Sequence, residues 1–82
     1  MSNIEKYNLA FIETFSVRED ELQNLSYKGV VAWDSVGHMS LVAALEETFD
    51  IMMDTEDIIE FKSYKKGKEI LSKEEYGVKF DE

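Results

Sequence analysis

The chain has no cysteine, so no disulfide, thiolate metal site or cysteine nucleophile supplies its stability or its chemistry. It has no proline and four glycines, and no Ser/Gly linker, low-complexity tract or internal repeat divides it, which leaves no candidate domain boundary. The single histidine argues against a zinc site, which needs several His, Cys or carboxylate ligands. There is no charged-then-apolar leader and no apolar run long enough for a bilayer, so a soluble cytoplasmic protein without membrane insertion is expected. Basic residues are scarce: nine Lys and Arg stand against eighteen Asp and Glu, a formal net charge of -9. That balance opposes nonspecific binding to nucleic acid or anionic membrane and suits partners with basic surfaces, although an acid excess serves solubility equally well.

What is present suffices for one small core. The 82 residues are 44% hydrophobic, enough for a single domain spanning 1–82, with a helical core over 3–73 and a flexible tail over 74–82. Ile4, Tyr7, Phe11 and Phe15 recur at steps of three and four, which predicts an amphipathic helix from Asn3 to Phe15. From Ser16 to Asp34 the period weakens. This stretch reads as a long ordered connection whose apolar residues, including Val30, Val31 and Trp33, pack inward. A strand at Val30–Trp33 finds no partner run elsewhere.

Asp34 can cap a second helix that starts at Ser35, with Leu41, Val42, Leu45 and Phe49 on its core stripe. Ser35, Val36, Met39, Ala43, Glu46, Glu47 and Asp50 fall on the opposite side. A short helix over 55–61 and a last one from about Ser63 to Lys73 complete the pattern, the latter turning Tyr64, Ile70 and Leu71 inward. The fold class is all-α. Beyond it Tyr76, Val78 and Phe80 alternate without a sustained period.

Chemistry concentrates where Asp34-Ser35-Val36 meets the helix start. A serine there projects its hydroxyl beside unpaired amides and the positive end of the helix dipole, surroundings that favour a phosphodiester on that oxygen. An Asp-Ser pair at a helix start is also an ordinary capping arrangement, so the dipeptide needs its context.

That context is the run Trp33-Asp34-Ser35-Val36-Gly37-His38-Met39-Ser40-Leu41-Val42-Ala43-Ala44-Leu45-Glu46-Glu47-Thr48-Phe49-Asp50-Ile51, which resembles the attachment loop and second helix of the acyl carrier protein family. The resemblance extends to the order of elements over residues 3–73. It implies a four-helix bundle with three longer helices, a short third helix and a long loop between the first two. It also implies that Ser35 receives a 4'-phosphopantetheine arm from coenzyme A, whose terminal thiol carries acyl groups, and that Asp34 both caps the helix and contacts the loading transferase. Val36, Met39, Ala43, Glu46, Glu47 and Asp50 would form the docking face. The implied partners are a phosphopantetheinyl transferase and an acyl-activating ligase, acyltransferase or ketosynthase with a basic docking surface, meeting a monomeric carrier that is itself not an enzyme.

Fatty-acid carriers typically have more acid just after the serine, where this chain has Gly37, His38 and Ser40. The departure resembles discrete carriers of specialised pathways. Peptidyl carriers usually present a glycine pair where Ala32-Trp33 stands here. An aminoacyl or peptidyl carrier, and a protein-interaction module that is never modified, remain the alternative readings.

Other residues invite chemistry and have plainer explanations. His38 lacks a nearby catalytic partner in the sequence, so a hydrogen-bonded packing role is expected in place of general-base work. Asp50, Asp54, Glu56, Asp57 and Glu60 lack the spacing and central glycine of a calcium loop. No metal site is expected among them. Met52 and Met53 read as contacts from loop to core, pliable enough to adapt to different cargo.

Overall fold

The first helix begins because Ser2 and Glu5 cap each other. Ser2 Oγ accepts the Glu5 N–H at 3.3 Å and Glu5 Oε1 accepts the Ser2 N–H at 2.9 Å, closing two amides that the helix itself leaves open. This α1 (Asn3–Phe15) ends at Ser16, whose left-handed φ of 57° turns the chain out of the helix. The computed structural model describes residues 1–80. After a 3-10 helix (Glu19–Asn24) come α2 (Ser35–Phe49), α3 (Thr55–Glu60) and α4 (Tyr64–Leu71). The described residues are therefore all-helical, and their only β pairing is an isolated bridge between Ser26 and Ser63. No helix among them is long and apolar enough to cross a membrane.

The helices are held by one aromatic cluster. Tyr7, Phe11 and Phe15 enter from α1, Trp33 from the turn before α2, and Phe61 and Tyr64 from either side of the α3–α4 junction; all are buried. Phe11 sits centrally, edge-on to Tyr7 at 4.9 Å, Tyr64 at 5.4 Å and Trp33 at 5.6 Å, spacings at which rings attract beyond the area they bury. Leu41, Val42 and Leu45 complete the core from α2, the stripe expected of that helix, with Phe49 packed half-buried beside it.

The long connection is ordered by backbone pairing with the start of α4. Tyr27 N–H donates to the Lys62 carbonyl at 2.8 Å and Tyr64 N–H to the Leu25 carbonyl at 3.0 Å. Leu22 and Leu25 are buried here. The inward packing expected of the whole apolar run holds for Trp33 but not for Val31, which is 96% exposed. A tight turn faces successive residues in different directions, so composition alone does not say which one enters the core. Met53 is buried as expected, but Met52 stands in solvent.

The segment after α4 also differs from the expectation of a free tail. Ser72 Oγ donates to the Lys68 carbonyl at 2.7 Å, and Tyr76 and Gly77 N–H groups close on the Lys73 carbonyl. Gly77, at φ 66°, supplies the left-handed step that glycine takes without steric cost. The chain then returns: Val78 N–H donates to the Leu71 carbonyl at 3.0 Å, Val78 is buried, and Phe80 lies edge-on to Tyr7 at 5.2 Å. Lys79 is fastened to α1 through its carbonyl, which accepts from Asn3 Nδ2 at 3.0 Å. The remainder of the expected tail, 81–82, lies outside the described residues.

Gly67 is a point of close packing in the aromatic core. A Cβ there would lie 2.2 Å from both Phe61 Cζ and Tyr7 Oη, and that hydroxyl already donates to the Tyr64 carbonyl at 2.6 Å. Helix propensity alone favours alanine over glycine by about 1 kcal/mol. Overpacking a filled core works the other way and costs about 1–3 kcal/mol. Gly67→Ala is therefore expected to lower the urea unfolding midpoint, and a midpoint at or above the parent's would show that the two rings give way.

Candidate functional site

Ser35 is the first residue of α2 and is exposed. Asp34, the residue before it, has extended backbone and turns its Oδ1 to the Gly37 N–H at 2.8 Å. The carboxylate is thereby drawn onto the third amide of the turn, while the Ser35 hydroxyl stands at the helix end where anions are favoured.

Gly37 and His38 explain how this helix start is seated. The preceding turn is closed by Lys28 N–H to the Trp33 carbonyl at 2.8 Å and Trp33 N–H to the Val30 carbonyl at 3.1 Å. It lies so close to α2 that a Cβ on Gly37 would fall 1.9 Å from the Ala32 carbonyl oxygen, a separation only glycine permits. One residue on, His38 Nδ1 receives the Trp33 indole N–H at 3.0 Å, and Nε2 lies 2.7 Å from the Ile58 carbonyl. An indole nitrogen can only donate. The proton of the neutral ring therefore sits on Nε2 and is donated to Ile58. One imidazole thus joins the turn before Ser35, the first turns of α2, and α3. With both nitrogens engaged, His38 has the hydrogen-bonded packing role expected of it.

The outward face of α2 carries Ser35, Val36, Met39, Ala43, Glu47 and Asp50, all exposed. Val36 and Met39 are 75% and 53% exposed, unusual for apolar side chains that have a core within reach. Glu46 differs from its neighbours. It is half-buried, and its Oε2 accepts the Met53 N–H at 2.9 Å, so it braces the loop into α3 as well as adding charge. Between Gly29 and Phe61 the chain has acids and no Lys or Arg, and α2 and α3 consequently present a surface of one sign.

A second polar cluster was not legible as a unit in the sequence. Asp57 of α3 is 5% exposed; Lys73 Nζ lies 2.6 Å from its Oδ1, and the Tyr76 hydroxyl donates to its Oδ2 at 2.6 Å. The same Tyr76 oxygen accepts the Asp54 N–H at 2.8 Å. The lysine bond, then the tyrosine bond, hold the Asp57 carboxyl below its ordinary range. Burial first, and the bond to Asp57 second, push the Tyr76 phenol up to about 12. Glu75 is raised instead, first by its hydrogen bond with Asp54. Asp54, Asp57 and Glu75 each bring a carboxylate oxygen within 4.8 Å of the others, a spacing a divalent cation can bridge. Lys73, however, already occupies Oδ1 of Asp57. Of the acids for which no metal site was expected, Asp54 and Asp57 belong to this cluster and Asp50, Glu56 and Glu60 do not.

Two outcomes follow from these contacts. Removing the imidazole in His38→Ala leaves a buried indole N–H unmatched, which costs roughly 1–3 kcal/mol. The expected result is a lower unfolding midpoint with altered emission from Trp33, the only tryptophan; unchanged stability would mean that water replaces the ring at no cost. For Asp57 the folded carboxyl ionises more readily than the unfolded one. Its contribution is therefore complete above the ordinary aspartate pKa of about 4 and is lost as pH falls through the folded value. Asp57→Asn should cost stability at neutral pH, and the gap from the parent should shrink in acid. A gap independent of pH would contradict the ion-pair role.

Comparison with known proteins identifies no matching family model, curated protein or solved structure, so the likeness of the Trp33–Ile51 segment to carrier proteins stands on its own residues.

Proposed function

We propose that the chain is an acyl carrier protein that holds acyl groups as thioesters on a 4'-phosphopantetheine arm attached to Ser35. The observation that carries this reading is an exposed serine hydroxyl at the first residue of α2, inside the Trp33–Ile51 run that resembles a carrier attachment site. The order α1, long connection, α2, short α3, α4 supports the finer reading of the fold as a four-helix carrier bundle, with the 3-10 helix an addition within its long loop.

The site suits the group chemically. In loading, Ser35 Oγ bonds to the phosphorus that bears the pantetheine, the phosphoanhydride bond of coenzyme A breaks, and adenosine 3',5'-bisphosphate leaves with the electron pair. The hydroxyl proton passes to a base on the transferase. Asp34 Oδ1 is held on the Gly37 N–H, and the positive end of α2 favours the negative charge of the new phosphodiester. The arm contributes a terminal thiol, which this cysteine-free chain lacks. Val36, Met39 and Ala43 give partner enzymes an apolar contact, and Glu47 and Asp50, with Glu46 behind them, attract basic docking surfaces. Use of coenzyme A and of soluble enzymes fits a cytoplasmic, monomeric carrier that catalyses nothing itself.

Incubation with coenzyme A and a broad-specificity phosphopantetheinyl transferase should add one phosphopantetheine to the parent and none to Ser35→Ala, as read by intact mass. Ser35 is exposed, so the substitution should leave the helical circular dichroism unchanged and shift stability by less than about 0.5 kcal/mol. Equal labelling of both proteins would place the arm elsewhere, and an unlabelled parent would favour an unmodified interaction module.

A further inference from the structure

The turn that precedes Ser35 holds an apolar residue where a soluble protein gains nothing by having one. Val31 is 96% exposed, the highest value among the large hydrophobic residues, yet the turn around it is firmly built. Gly29 N–H donates to the Ser26 carbonyl at 2.8 Å, the Lys28 and Trp33 N–H groups close the turn, and the Trp33 indole is tied to His38. The Ala32 carbonyl bears directly on Gly37, which sets the turn against the first turn of α2, beside Ser35. Val31 is thus a fixed apolar knob, and burying it against a partner costs little ordering entropy.

Charge is distributed to match. Between Gly29 and Leu45 the only charged side chain is Asp34, and its carboxylate is engaged by the Gly37 N–H. The docking acids begin at Glu46. At 1.5 Å per residue Glu47 lies about 18 Å along the helix from Ser35, beyond the roughly 8–10 Å over which exposed charges act at ordinary ionic strength. Ser35 is therefore flanked along the chain by an exposed apolar collar of Val31, Val36 and Met39, with Asp34 its one charged neighbour on this stretch, and the acids of α2 lie further along the helix.

We propose that the 28–33 turn is a second docking element, and that the enzymes acting at Ser35 seat Val31 and Val36 on an apolar rim around their active-site entrance while basic residues set back from that rim meet Glu47 and Asp50. The proposal rests on Ser35 being the attachment site, because only an enzyme that must reach this hydroxyl is bound to cover both valines. The collar supplies short-range fit. The acids supply long-range attraction, and the two respond differently to salt.

The sign of one substitution separates them. Val31→Glu adds negative charge to an acidic protein, so if attraction alone governed docking, a transferase with a basic surface would load it faster. Loss of the apolar contact slows it instead, by about tenfold in kcat/KM. Loading from coenzyme A by a broad-specificity transferase is measured for the parent, Val31→Glu, Val31→Ser and the double variant Glu47→Gln/Asp50→Asn, at low and high salt. The expected result is slower loading of both Val31 variants at either salt, with parent-like circular dichroism. The double variant is expected to be slow at low salt only, with a flattened salt response. Val31→Glu loading as fast as the parent or faster, or Val31→Ser matching the parent, would overturn the role of the turn while leaving Ser35 in place. A parent that accepts no arm would overturn the carrier reading as well.

Discussion

His38 is engaged on both ring nitrogens, receiving the Trp33 indole N–H at 3.0 Å and donating to the Ile58 carbonyl at 2.7 Å. Three segments that share no regular backbone pairing meet at that ring: the end of the long connection, the start of α2, and α3. Trp33 is wholly buried and stacked on Phe15 at 5.1 Å, so the ring also ties the position of Ser35 to the aromatic core. A buried donor left without a partner is expensive, and this bond therefore fixes where α2 begins. Gly37 completes the constraint by letting the Ala32 carbonyl approach where any Cβ would collide. Two of the residues that depart from the acidic pattern of fatty-acid carriers, Gly37 and His38, thus seat the helix start.

The far side of α3 is fastened differently. There Asp57, Lys73 and Tyr76 form a charge-assisted cluster that holds the segment after α4 against the bundle, helped by Val78 and Phe80. Because α3 is only six residues long, it has little intrinsic helical stability. It depends on His38 at one side and Asp57 at the other. Among the described residues Asp57 is the one buried acid, and Lys73 pairs it from within the bundle, while most of the other acids of α2 and α3 stay exposed.

Much of the main helical frame could be read from sequence, and the reasons are local. The Asn3–Phe15 and Ser35–Phe49 helices announce themselves through aromatic and aliphatic residues at helical spacing and, for the second, through Asp34 as a cap, whereas the Ser2–Glu5 capping box emerges only from the structure. Other features depend on contacts between distant residues. The 3-10 helix is too short to show a period. Val31 and Trp33 look alike in a hydrophobic run, and only the turn geometry sends one outward and the other inward. Asp57 resembles its acidic neighbours until Lys73, sixteen positions later, is brought beside it. Tyr76, Val78 and Phe80 are too few to define an element, so their packing against the bundle is visible only once the helices are in place. At the candidate site, Asp34's capping bond and the place of Ser35 at the helix start were legible from the motif, Glu46's bracing role was not, and neither were His38's bonds to Trp33 and Ile58.

The account turns on whether the Ser35 oxygen bears a phosphopantetheine in life. Mass spectrometry of the chain isolated from the cells that make it addresses this directly, since a peptide containing Ser35 reports both the arm and any acyl cargo on its thiol. The account predicts a Ser35 peptide heavier by one phosphopantetheine, part of it extended by a thioester-bound acyl group. A bare Ser35 peptide, in cells whose other carrier proteins are loaded, would contradict it.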